Sequence, residues 1–328
     1  MKTRQQDLKV VVIGGGTGLS TMLKGLKQYT THITAVVTVS DNGGGSGKLR
    51  REMGITPPGD IRNCLVALAN TEPMMEKLLQ YRFKEGGLCG QSFGNLFLAA
   101  LTEITGSFEE AIKFSSNVLA ITGKVLPVTY EDVHIEACFE DGEKIIGETQ
   151  IVEYGKAHDL GIQKLTLKPE APLPAKEVMI AIEEADLIVF GPGSLYTSII
   201  SNLLVKEVTT QIAKSKADKI YVANVMTQPG ETAKLSLEDH ITVLEDYLGK
   251  GIIKKVIANN APIPKKYLEQ YIKDGANVLT VNTKHKIWQR IAKIEAPLVS
   301  INEDTGLVRH DSFQLAQCIF ESAFNKNT

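Results

Sequence analysis

The chain has 328 residues, 43% of them hydrophobic and 23% charged, which is ordinary globular usage and enough for one large α/β domain or two smaller ones. A chain of this size folds without disulfides or a structural metal, and its formal net charge of −2 leaves no basic field to hold DNA or RNA. The four cysteines (Cys64, Cys89, Cys138, Cys318) never fall in a CxxC spacing, no apolar run approaches the ~18 residues of a membrane span, and the first ten residues lack the apolar stretch of a signal peptide, so a reducing, cytoplasmic setting is expected.

In chain order, Leu8 to Ile13 (LKVVVI) is a continuous apolar run of the kind found in strands buried on both faces of a parallel sheet. GGGTGLS follows, and then a helix with Met22, Leu23, Leu26 and Tyr29 on one face. Ile33 to Val39 reads as a second strand, which completes a βαβ unit. Ser40 to Gly59 reads as a polar, glycine-dense loop, and Asp60 to Ala69 as a helix with Asp60 as its N-cap. A further helix follows Gly94, with Leu96, Ala99, Ala100 and Ile104 along it. Residues 128 to 152 alternate in polarity and contain the hairpin pair Asp141-Gly142, which predicts an antiparallel meander. The expected organisation is one domain over 1–328 with this meander inserted around 125–170. The proline-rich segment 169 to 174 is too short to mark a boundary. The α/β rhythm then returns with strands over Asp186 to Phe190, Lys219 to Val225 and Ile252 to Ile257, each followed by a polar segment. In open α/β sheets ligands lie beyond the carboxyl ends of the strands, so these segments should converge on one cleft.

Gly14-Gly15-Gly16-Thr17-Gly18 lies where the first strand turns into a helix. Glycines let a backbone approach a phosphate, and the helix start offers free N–H groups and the positive end of a dipole. Gly14 and Gly16 fit the dinucleotide fingerprint GxGxxG, but Leu19 stands where its third glycine belongs. A turn needed only for packing is the alternative, and the strand–loop–helix context favours the phosphate. The second glycine loop, Asp41 to Lys48, is similar to a P-loop, yet Asn42 and Leu49 break GxxxxGK[ST]. Asp41 there suits a ribose hydroxyl or a metal ion, while Lys48 on a solvated loop is the alternative. Asp60, Arg62 and Asn63 offer a metal or phosphate contact besides capping. Gly191, Gly193 and Ser194 open another anion-ready helix start, and Asn224, Thr227, Gln228 and Gly230 follow the next strand, with Asn259 and Asn260 after the one beyond. No histidine falls in HExxH and no GxSxG is present. His310 reads as structural and Trp288 as packing.

Taken together, VVVIGGGTGLS, SDNGGGSGKLR, PPGDIRN, SFGNLFLAAL, GPGSLYTSI, NVMTQPGET and GLVRHD resemble the YvcK/CofD-like family, in order from residue 10 to residue 311, and most closely its YvcK branch of gluconeogenesis factors. The resemblance implies a Rossmann-like three-layer α/β/α fold with a mostly parallel sheet. It also implies binding of UDP-sugars, notably UDP-N-acetylglucosamine, in support of cell shape and wall synthesis during gluconeogenic growth. Through SFGNLFLAAL it adds Asn95 to the ligand set. It assigns nucleotide-sugar contacts to Arg309 in GLVRHD and to Tyr271 in LEQYIKDGA, with Tyr267 the alternative for the latter. The distant branch is 2-phospho-L-lactate transferase, a magnesium-dependent enzyme of deazaflavin coenzyme synthesis. Two departures stand out: Gln91 replaces the histidine that precedes SFGNL in many members, and Ser201-Asn202 replaces Pro-Asn. Gln91 removes a general base. Two functions follow. One is a regulator that needs no cofactor, binds UDP-N-acetylglucosamine and signals to a partner in envelope synthesis, with self-association open. The other is a transferase of phosphate-containing groups in which Asp41 and Asp60, the candidate catalytic residues, hold Mg²⁺. A nicotinamide dinucleotide binder is disfavoured by the missing third glycine.

Overall fold

The computed structural model describes residues 7–324. Its strands are β1 (Val10–Gly14), β2 (Ile33–Val37), β3 (Lys124–Pro127), β4 (His134–Phe139), β5 (Lys144–Ile146), β6 (Ile162–Lys168), β7 (Leu187–Phe190), β8 (Asp218–Val222), β9 (Lys255–Asn259), β10 (Ala292–Ala296), β11 (Val299–Ile301) and β12 (Val308–His310). Seven of them form one sheet in the order β10-β9-β8-β7-β1-β2-β3, with every neighbouring pair parallel.

Side chains alternate across β1 and feed two cores. Val10 and Val12 face one layer with Leu19, Leu23, Ile61, Leu65, Leu315 and Ile319. Val11 and Ile13 face the other with Val178, Ile182, Val208, Ile212, Ile241 and Leu244. This period of two is why the central strands read as unbroken apolar runs: both faces are covered by helices. The result is the three-layer α/β/α arrangement with a parallel sheet.

Three expectations need correction. Ser40 to Gly59 is not one loop: it contains the helix Gly44–Met53, closed by Gly54 at φ 65°. Its glycines mask a good helical run, KLRREM, that buries Leu49 and Arg50. Asp60 does not cap its helix, which runs Gly59–Leu68 with Pro58 at the N-cap. The meander stops at β5. Gly147, at φ 99°, turns the chain into the helix Glu148–His158, and β6 returns to pair with β4, so the small antiparallel sheet has the order β5-β4-β6. In addition, the strand expected over Ile252 to Ile257 is shifted to Lys255–Asn259, after a turn in which Gly249 and Gly251 adopt positive φ.

After β10 the chain forms the ribbon β11–β12, which pairs Ser300 with Arg309. The final helix, Ser312–Phe324, packs along the helix Gly16–Leu26. It comes close because Gly25 has no side chain and the Ser312 carbonyl sits against it. This contact brings the end of the chain back to its beginning.

Candidate functional site

Strand order reverses between β1 and β7, with β2 and β3 on one side and β8 to β10 on the other. The turns after β1 and β7 therefore meet at the switch point, where α/β sheets open a crevice. Gly16 holds φ at +69°, and a Cβ on Gly18 would lie 2.6 Å from the Pro192 carbonyl oxygen, so glycine is needed at both positions. A cleft of about 560 Å³ opens there. That is the size range of small-ligand and cofactor sites.

The walls of the cleft come from distant parts of the chain. Gly15, Gly16, Thr17 and Gly18 follow β1, and Gly193 and Ser194 follow β7. Asn224, Thr227 and Gln228 follow β8, and Tyr271 comes from the helix Lys265–Lys273. Arg309 and His310 are on β12. Several polar groups of this set are engaged by the protein. The Asn224 side chain accepts from the Gly193 N–H at 3.1 Å and donates to the Gly193 carbonyl at 2.8 Å, which fixes the β7 turn. Thr227 exchanges hydrogen bonds with the Asn277 backbone. The Tyr271 hydroxyl accepts from the Val308 N–H at 2.9 Å, so it holds β12 in place while its ring faces the cleft. Arg309 is exposed at the mouth and has no carboxylate partner among the described residues.

Six of the residues expected at the ligand do not line this cleft. Gly14 and Gly191 end their strands behind the wall; the Gly14 carbonyl accepts from Thr38 and Asn202, and the Gly191 N–H donates to Ile13. Asp41 accepts from the Gly43 N–H at 2.8 Å. Asn42 binds Gln150 and the Thr149 N–H, so it secures the start of the helix Glu148–His158. Lys48 is exposed beside Glu52. Asn95 is buried and donates to Ser46. Gln91 is buried as well, and its Oε1 has no partner.

The sequence reading passed over Lys156, which reaches the cleft from the helix misread as part of the meander. His310, read from the sequence as structural, also stands in the wall. Burial lowers the His310 pKa to about 4, so the ring is neutral; it donates to the Ala223 carbonyl, and its Nε2 has no partner. Carboxylates gather beneath the glycine loop. Asp60 accepts from the Gly16 N–H, and its pKa is raised to about 6, first by desolvation and then by Asp41. Glu231 is buried, and desolvation raises its pKa to about 7; it accepts from Thr197 and Gln228. Glu148 is pushed well above the carboxylate range by burial, then by Asp41, Asp60 and Glu231. Among the described residues no group of three or more His, Cys, Asp or Glu side chains is arranged to hold a metal ion. Asp41 and Asp60 alone fit the weaker requirement of Mg²⁺, which often takes one or two carboxylates and completes its shell with water and substrate phosphates.

The family model of 2-phospho-L-lactate transferase CofD matches residues 10–299. A protein of Thermoanaerobacterium thermosulfurigenes is 51% identical over 95% of each chain. The gluconeogenesis factor of Bacillus subtilis is 43% identical over 96% of this chain and 98% of its own, and that of Listeria innocua is 43% identical over 99% and 98%. A crystal structure of a UPF0052 family member from Bacillus halodurans superposes with a TM-score of 0.90 at 41% identity, covering 95% of this chain and 99% of that one.

Proposed function

The chain belongs to the CofD family, and from that premise we propose that it is a cytoplasmic nucleotide-sugar-binding regulator rather than a transferase. Its ligand is UDP-N-acetylglucosamine, taken in the switch-point cleft. The observation that carries this reading is the facing pair of glycine turns after β1 and β7: the Gly16 and Gly193 N–H groups are held by Asp60 and Asn224, and the side-chain-free turns leave the helix start at Thr17 and Gly18 facing the cleft, where a pyrophosphate fits. Arg309 and Lys156 add positive charge, and the Tyr271 ring offers a flat surface to a base or sugar. The kinship with gluconeogenesis factors supports a role in gluconeogenic growth; we extend it to wall synthesis and cell shape, exerted through an envelope-synthesis protein. Against turnover stand the buried Gln91, which carries no basic group, and the pKa of about 4 that makes the wall residue His310 a weak base.

Melting the protein with ligand tests the reading. At a hundred times its dissociation constant, UDP-N-acetylglucosamine should add about 2.7 kcal/mol. That is a shift of a few degrees for a chain of this size. Free N-acetylglucosamine should leave the melt unchanged. No shift with any uridine nucleotide at millimolar concentration overturns the proposal.

A second reading rests on the placement of Asp60 under the glycine loop and beside Asp41. In a magnesium-dependent transferase these two carboxylates would hold the ion, which neutralises phosphate charge and polarises a phosphoryl oxygen. Turnover of a nucleotide-linked donor by the purified protein with Mg²⁺, abolished in Asp60→Asn, would replace the regulator with the transferase.

A further inference from the structure

A second cavity, of about 360 Å³, lies on the other side of the first turns of the helix Gly16–Leu26. Thr17 and Thr21 line both this cavity and the switch-point cleft, so only that helix separates them. The remaining lining is strongly basic. Lys24 lies one turn further along the helix, Arg62 comes from the helix Gly59–Leu68, and Arg82 comes from the extended segment that bridges to Ser92.

The counter-charges do not balance. Glu76 pairs with Lys24 at 3.1 Å. Neither Arg62 nor Arg82 has a carboxylate within ion-pair distance among the described residues. Arg62 donates to Ser92 and, at 2.7 Å, to the Asn63 side chain, and its Nε is buried with no partner. Arg82 donates to the Gly90 carbonyl, so its guanidinium is held at the cavity by one backbone contact. The two guanidinium groups feel one another: the Arg62 pKa is lowered by burial first and by the Arg82 charge second, against the opposing pull of the Asp60 and Asp41 carboxylates. Two neighbouring guanidinium groups with no carboxylate within ion-pair distance repel one another, and the same arrangement favours an anion that enters.

We propose that this cavity is a second anion site that takes the phosphate group of a ligand distinct from the one in the switch-point cleft. A tetrahedral phosphate presents enough acceptors for two guanidinium forks and for hydroxyls such as those of Thr17 and Thr21. The volume suits a small phosphorylated metabolite rather than a whole nucleotide sugar. The shared wall makes occupancy of one site felt at the other through Thr17, which belongs to the glycine turn.

Titration calorimetry with inorganic phosphate tests this, on the wild type and on Arg82→Gln. Arg82 is exposed, so the variant should melt with the wild type in the absence of ligand. The wild type should bind phosphate, and Arg82→Gln should bind it roughly tenfold or more weakly. Binding should persist when UDP-N-acetylglucosamine saturates the cleft. Equal affinities in the two proteins, or no binding to the wild type, overturn the proposal. Displacement of phosphate by the nucleotide sugar, together with weaker nucleotide binding in Arg82→Gln, overturns it too and assigns the cavity to the nucleotide's own phosphates. If no uridine nucleotide binds at all, the reading of the main cleft fails while the phosphate titration still decides this one.

Discussion

Arg309 and Glu231 show how differently two charged residues serve one cleft. Arg309 is free at the mouth, with its strand held by the Tyr271 hydroxyl. A planar guanidinium fork suits phosphate or a uracil carbonyl, and lysine keeps the charge but loses the fork. Arg309→Ala should therefore lose about 1.5–3 kcal/mol of nucleotide-sugar affinity, roughly ten- to a hundred-fold, and Arg309→Lys less. The unliganded melt should not move. Unchanged affinity in the alanine variant removes Arg309 from the site. Glu231, in contrast, acts on the fold. Its pKa rises from 4.5 unfolded to about 7 folded, so the folded protein keeps a proton that the unfolded chain releases between those values. The resulting stability is present in full below pH 4.5 and lost as pH rises through 7, a change of roughly 3 kcal/mol. Glu231→Gln stays neutral throughout, so the wild type should lose melting temperature relative to the variant between pH 5 and pH 8. Parallel curves for the two proteins would contradict this.

The elements around the cleft are set by contacts that local sequence does not announce. Gly155, in the helix Glu148–His158, presses on the backbone of Gly230, in the turn that carries Gln228. Gly155→Ala would force a methyl group into that backbone. It should destabilise the fold by about 1–3 kcal/mol and weaken nucleotide binding, because Lys156 and Gln228 move apart. Melting and calorimetry on the variant check both effects, and wild-type behaviour in both would show that the two elements are not coupled here. The elements with plain periodicity were legible beforehand: β1 and its glycine turn, the helix behind it, and β7 with GPGSL. The helix Gly44–Met53 was hidden because its first turn is glycine-rich, and the helix Glu148–His158 because Ile145, Ile151 and Val152 sustain a strand-like look past Gly147. The site was half legible for the same reason. Strand-end glycines mark themselves, whereas Lys156 and His310 join the cleft only through tertiary folding. Asp41, Asn42, Lys48 and Asn95 sit on glycine- and asparagine-rich stretches outside the lining of this cleft, where Asp41, Asn42 and Asn95 hydrogen-bond to neighbouring segments.

At the scale of the whole molecule, the order β10-β9-β8-β7-β1-β2-β3 places the first-made strand in the middle of the sheet. One neighbour, β2, follows at once, and the other, β7, comes far later: Lys9 and Asp186, bonded across that seam, are 177 residues apart. No helix among the described residues is long and apolar enough to cross a membrane. The reversal of strand order opens the cleft, and the last helix, laid along Gly25, brings Arg309 and His310 back to its rim. This arrangement has a consequence for the chain as it leaves the ribosome. At ~5–20 residues per second, β1 waits roughly ten to thirty seconds with one edge unpaired. Val10 to Ile13, apolar on both sides, has no cover on one face until the helices after β6 emerge. Such an edge invites pairing with another nascent chain. The cleft that would receive a stabilising ligand gains its final wall only with β12, close to the end of synthesis. The newborn protein therefore passes the interval of the unpaired β1 edge before any small molecule bound in the cleft is able to protect it.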